Sequence, residues 1–125
     1  MLLVSCEAIY CELLFREKFM KSKRVLSLFS GCGGMDLGLE GGFSVHTESV
    51  NSEFQKPWIE EVNGEWAKLK RTSFETVFAN DIRPGAEKVW NRFFGKRGTP
   101  KNTFKLISII DYLKEGYELP KNIDV

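Results

Sequence analysis

The chain has 125 residues, 42% hydrophobic and 28% charged, with a net charge of +1. That length suffices for one domain with its own core, and the balance excludes both a disordered chain and a strongly basic nucleic-acid-binding module. No apolar run approaches the roughly 20 residues that span a bilayer, and three cysteines without zinc spacing point to a reduced, cytoplasmic protein.

Residues 2–19 place Leu3, Cys6, Tyr10, Leu13 and Leu14 three and four positions apart, which predicts a helical N-terminal extension over 1–19. Glu7, Glu12, Arg16, Glu17 and Lys18 interrupt it, so it does not read as a signal peptide. Met20 stands just ahead of the first strand and is a candidate natural start, with the domain running over 20–125. Arg24–Phe29 is an apolar run and the expected first strand. It meets the cluster Ser30-Gly31-Cys32-Gly33-Gly34, after which a helical pattern from Gly33 to about Glu40 ends at Gly41-Gly42.

Residues 44–73 are polar and mixed, and read as an insertion with one short helix around Trp58–Val62. Trp58 and Trp66 in it are expected to pack locally in preference to stacking on bases. Phe74–Asn80 alternates and is the expected second strand, and Pro84 suits the first turn of a helix reaching about Phe94. Phe104–Ile110 is the expected third strand, and Leu119–Val125 the start of a fourth. The order βαβαββ predicts an α/β fold with a parallel, doubly wound sheet. A parallel sheet of about four strands leaves an apolar edge, so the chain is expected to need a partner or to be marginal alone.

The glycine cluster lets the backbone turn tightly and approach a ligand, and the N–H groups that open the next helix favour a carboxylate or other anion. Asp81, at the tip of the second strand, is where such folds bond the ribose hydroxyls of a nucleotide; a second reading makes it the cap of the helix at Pro84. The dinucleotide fingerprint fits poorly. Its third glycine position is Asp36, and the acid lies more than twice as far along as the usual ~20 residues. A nucleotide-like ligand other than NAD is expected. Cys32, in the loop, reads as a small packing residue. The basic residues Lys96, Arg97, Lys101 and Lys105, and Lys68, Lys70 and Arg71, are mixed with acids and read as a solvated face.

Leu28-Phe29-Ser30-Gly31-Cys32-Gly33-Gly34 with Asp36-Leu37-Gly38-Leu39-Glu40 resembles the first motif of the DNA cytosine-C5 methyltransferases. Phe78-Ala79-Asn80-Asp81-Ile82, with Ala86, Trp90 and Asn91-Arg92-Phe93-Phe94, resembles their second. Ser108-Ile109-Ile110-Asp111, then Leu119-Pro120 and Ile123-Asp124-Val125, resembles the third motif and the strand after it. Together these cover roughly 23–125, in order.

The resemblance implies a Rossmann-like fold that binds S-adenosyl-L-methionine. Phe29 would pack on the cofactor, and the backbone of Ser30, Gly31, Cys32, Gly33 and Gly34 would approach its methionine half. Asp81 would hold the ribose hydroxyls and Ile82 would cover one adenine face, with Phe29 and Ile82 as plain core residues the competing reading. Ser108 and Ile109 would border the adenine. Ser108 stands where the family usually has an aspartate, and Asp111 follows three residues later.

The family attacks C6 of a flipped-out cytosine with a cysteine thiolate from a Pro-Cys pair, assisted by a glutamate. None of Pro57, Pro84, Pro100 or Pro120 precedes a cysteine, and no Glu-Asn-Val triplet occurs. The resemblance therefore implies the cofactor-binding portion of an enzyme of a restriction–modification system, with DNA as substrate of the complete enzyme and no methyl transfer by this chain alone. Other readings are a subunit of a split methyltransferase completed by a second chain, a gene remnant, and a non-catalytic small-molecule-binding module.

Overall fold

The computed structural model describes residues 21–125; the expected extension over 1–19 and the candidate start at Met20 lie outside the described residues. In chain order the elements are β1 (Lys23–Ser27), α1 (Gly34–Glu40), β2 (Ser44–His46), α2 (Ser52–Gln55), β3 (Ile59–Asn63), β4 (Trp66–Leu69), β5 (Phe74–Asp81), α3 (Pro84–Lys96), β6 (Phe104–Leu106) and α4 (Ile109–Lys114), with 3-10 turns at Thr47–Ser49 and Lys56–Trp58. They form an α/β protein with two sheets. One is parallel, in the order β1-β5-β6; the other is antiparallel, in the order β2-β4-β3. No helix among the described residues is long and apolar enough to cross a membrane.

The parallel sheet holds the core. Pro84 opens α3, where its missing N–H costs nothing. Ala86, Trp90 and Phe94 then fall four apart and form the buried face, closing on Ala79 of β5 and Phe104 of β6. The Trp90 and Phe94 rings stack at 4.3 Å. Burying each large aromatic contributes about 1.5–3 kcal/mol. Helix α1 meets this core through an acid: buried Asp36 accepts from the Trp90 indole N–H at 2.7 Å and from the Ser27 hydroxyl. A second buried acid, Glu40, accepts from the Thr76 N–H at 2.9 Å. Both carboxylates are thus bonded, as buried charges must be.

The insertion over 44–73 departs from its expected form. It holds the antiparallel sheet, with the β3–β4 hairpin flanked by β2, and Trp58–Val62 is the end of a 3-10 turn followed by β3 instead of a helix. The reason is local. Gly64-Glu65 makes a two-residue hairpin turn, with Gly64 at φ 59°, and pairs Asn63 with Trp66. Trp58 and Trp66 are 63% and 55% exposed, and Trp66 meets the His46 ring edge-on at 5.8 Å.

Two further boundaries move. β6 stops at Leu106, because its partner β5 ends at Asp81, opposite Leu106; Ile109 and Ile110 are in α4, not in a strand. No strand forms over Leu119–Val125. Its last residues nevertheless lie along the free edge of β1, where Asp124 N–H donates to Arg24 O at 2.9 Å and Leu26 N–H donates to Val125 O at 2.9 Å.

Candidate functional site

The C-terminal ends of the three parallel strands meet at one edge of the sheet, the place where open α/β sheets take ligands. Beyond β1, Phe29 adopts φ 55°, a left-handed conformation that costs a non-glycine residue about 1–2 kcal/mol. Its side chain is nevertheless 75% exposed, so the strain is not offset by burial. The strand after the loop holds it: Phe29 N–H donates to Asn80 Oδ1 at 3.2 Å, and Ser30 N–H to Asn80 O at 2.8 Å. Such strain concentrates at ligand clamps.

Asn80 fixes this edge. It accepts from Phe29, its backbone N–H donates to Ser30 Oγ at 3.1 Å, and its Nδ2 donates to Ile107 O at 3.0 Å. One fully buried amide thereby joins the loops after β1 and β6 to β5. The sequence reading gave Asn80 no role. Its signal is an amide directly after the apolar run Val77-Phe78-Ala79 of a strand, where asparagine is depleted.

Asp81 comes next. Its Oδ2 accepts from the Gly31 N–H at 3.0 Å, so the strand-tip acid and the glycine loop are one unit. Its Oδ1 accepts from the Arg83 N–H at 3.0 Å and from Arg83 Nε at 3.3 Å. Burial pushes the carboxyl up, but the bonds from Arg83 and Gly31 outweigh burial, and its pKa falls below the ordinary 3.8. A carboxylate has about four lone-pair sites. Three are in use, and one of those belongs to the long bond from the mostly exposed Arg83 side chain.

The glycines divide by role. A Cβ on Gly33, at φ 88°, would stand 2.7 Å from both Phe94 and Trp90, so the core demands that glycine. Gly31, at φ 55°, would meet only the Arg83 guanidinium at 3.6 Å, and a Cβ on Gly34 would meet nothing. Gly31 and Gly34 line open space; Gly33 faces inward. Cys32 is exposed and free. The helix after the loop, α1, has seven residues, and Gly33 precedes it without a side-chain cap.

Ile82 is 67% exposed beside Asp81. Ser108 precedes α4 with no capping bond from its side chain, and Ile109, the first residue of α4, is half-buried. Phe29, Ser30, Gly31, Asp81 and Ile82 are therefore brought together at the sheet edge around one carboxylate. Ser108 and Ile109 join that edge through Asn80, by way of Ile107. The arrangement offers an acceptor that stays ionised at neutral pH, flanked by two exposed apolar side chains. Chemically, such a surface can accept hydrogen bonds from hydroxyls and cover a flat apolar group. No protein-family model, curated protein or solved structure matches this chain.

Proposed function

We propose that this chain is the S-adenosyl-L-methionine-binding portion of a DNA cytosine-5 methyltransferase, with a Rossmann-like sheet whose C-terminal edge holds the cofactor. The observation that carries this reading is the 3.0 Å bond from the Gly31 N–H to Asp81 Oδ2, with Phe29 and Ile82 exposed around it. It joins, in space, the first and second of the three motifs that carry the resemblance.

The residues present fit an adenosyl group. Asp81 has an unused acceptor site and is ionised, so it can take a hydrogen bond from a ribose hydroxyl. Displacing the exposed Arg83 side chain frees a second site for the neighbouring hydroxyl. Phe29 and Ile82 shield the apolar ring from water. Gly31 and Gly34 leave room for the backbone to approach the ligand. When bound, the cofactor supplies an electrophilic methyl group; these residues bind and orient it, and none of them is assigned as the nucleophile toward DNA.

The test is thermal unfolding with added ligand. S-adenosylmethionine and S-adenosylhomocysteine are expected to raise the Tm, by the equivalent of ~2.7 kcal/mol at about 100 times the Kd. NAD is expected to be inert. Asp81→Ala should remove the shift, and Ile82→Ala should weaken it. A Tm unmoved by either adenosyl ligand, or moved equally by NAD, would falsify the proposal. The chain by itself is expected not to methylate DNA; methyl transfer by the purified chain that Asp81→Ala abolishes would contradict the assignment of the nucleophile to other residues.

A further inference from the structure

At the opposite end of the parallel sheet, roughly 23 Å from Asp81 by the rise along β5, a cleft of 330 Å³ opens beside the first residues of β1 and β5. Glu40, Arg71, Thr72, Ser73, Arg97 and Thr99 are among the residues lining it. Its volume is that of roughly ten waters, so a tetrahedral oxyanion enters with part of its hydration shell.

Two guanidinium groups converge there. Arg97 is largely buried; its Nη2 donates to Gly41 O at 2.7 Å. Its Nη1 is buried without a hydrogen-bond partner among the described residues. Arg71 approaches from the strand-to-strand link after β4 and is mostly exposed. Gly42, at φ 70°, makes the convergence possible: a Cβ there would lie 2.5 Å from Arg71 Cγ and 2.9 Å from Arg97 Nη2.

The two cations share one buried carboxylate, and neither is bonded to it. Glu40 Oε2 lies 4.0 Å from Arg71 and 3.9 Å from Arg97, while Oε1 is committed to the Thr76 N–H. The other acid at the cleft, Glu75, takes the Ser22 hydroxyl at 2.8 Å. Burial and then the neighbouring Arg71 pull the Arg97 pKa down, and Glu40 opposes them, so the two guanidinium groups stand close enough to repel each other.

The geometry points to a phosphate-binding site in this cleft, with Arg71 and the unpartnered Nη1 of Arg97 as donors. A phosphate oxygen offers what Glu40 does not, an acceptor within bonding distance of both guanidinium groups. The hydroxyls of Ser73 and Thr99 add neutral donors, while the Thr72 hydroxyl is committed to Leu39 O. The phosphate chemistry is common to a free phosphate, a phosphomonoester and a nucleic-acid backbone.

The experiment titrates the chain with inorganic phosphate and follows the Arg97 Nε–Hε resonance by NMR, with chloride at matched ionic strength as control. Saturable movement is expected with phosphate and not with chloride. Arg71→Gln, at an exposed side chain that makes no hydrogen bond of its own in the cleft, should weaken binding roughly tenfold or more, as loss of a charge-assisted bond does. Lys114→Gln, on α4, should leave it unchanged. A short DNA duplex forms the second arm. Displacement of phosphate by the duplex identifies the backbone as the source, and an inert duplex identifies a free phosphate or monoester. Movement that is non-saturating, equal with chloride, or indifferent to Arg71→Gln overturns the site. None of these readouts depends on adenosyl-ligand binding at the other end of the sheet.

Discussion

The parallel sheet and the antiparallel sheet treat their aromatic residues in opposite ways. In the first, Trp90, Phe94 and Phe104 are buried against Ala79. In the second, Ala67 is buried while Phe54, Trp58 and Trp66 are all more than half exposed. The first region is held by a core and by buried acids bonded into it. The second is held by hairpin bonds and by ties to the first: the Thr72 hydroxyl donates to Leu39 O at 2.5 Å, Gly42 N–H to Lys70 O at 3.1 Å and Arg97 to Gly41 O. A three-stranded sheet without much core of its own depends on such ties. Stability is therefore expected to be uneven across the molecule.

Substitutions that test this contrast fall in a clear order. Trp90→Ala should have the largest effect, a loss of about 3–5 kcal/mol in denaturant unfolding, because it empties the core and strands the Asp36 carboxylate. A loss no greater than that of an exposed residue would mean the core does not hold the fold.

Gly33→Ala comes next. It combines a positive φ with a Cβ 2.7 Å from Phe94 and Trp90. Its cost should therefore exceed the roughly 1–2 kcal/mol of the left-handed conformation alone. Gly34→Ala, one residue on, meets nothing and should stay within about 0.5 kcal/mol. Equal effects at the two positions would break the distinction drawn between them.

Gly64→Ala in the β3–β4 turn should cost about 1–2 kcal/mol, the left-handed term alone, since no atom lies near the added Cβ. Hydrogen exchange should show that loss chiefly in β2, β3 and β4.

The Asp81 contribution is read through pH. Its folded-state pKa lies below the ordinary 3.8, so its stabilisation is fully present above that value. It is lost as pH falls through the lower folded value. Wild type and Asp81→Asn should therefore differ in denaturant midpoint at about pH 6 and converge toward about pH 2. A gap that widens on acidification would reverse the sign. Trp66→Ala should have the smallest effect, within about 0.5 kcal/mol, as its ring is exposed and touches His46 edge-on at 5.8 Å.

Local chemistry made much of this legible in the sequence. The first strand, the glycine turn, the helix opened by Pro84 and the strand ending in Asp81 were all readable, because each depends on residues near in the chain. The antiparallel sheet was not read: Gly64 marks the β3–β4 turn, but Ile59 and Val62 also fit a helical spacing, and that competing period obscured the hairpin. Asn80, Asp36 and Glu40 were not readable as structural residues. A carboxylate on a short helix reads as solvated until its partners are known, and those partners, Trp90, Ser27 and Thr76, come from distant segments.

The sequence by itself determined an α/β chain with strands ahead of and behind a glycine turn, because periodicity and backbone restriction act over a few residues. Only the tertiary structure decided that the core leaves no room for a side chain at Gly33, that β6 ends where its neighbour ends, and that Gly31 and Asp81 share a hydrogen bond. It also decided that Arg71 and Arg97 converge on one carboxylate. Each of these turns on distances between residues remote in the chain, and long-range packing sets those distances where local preference does not.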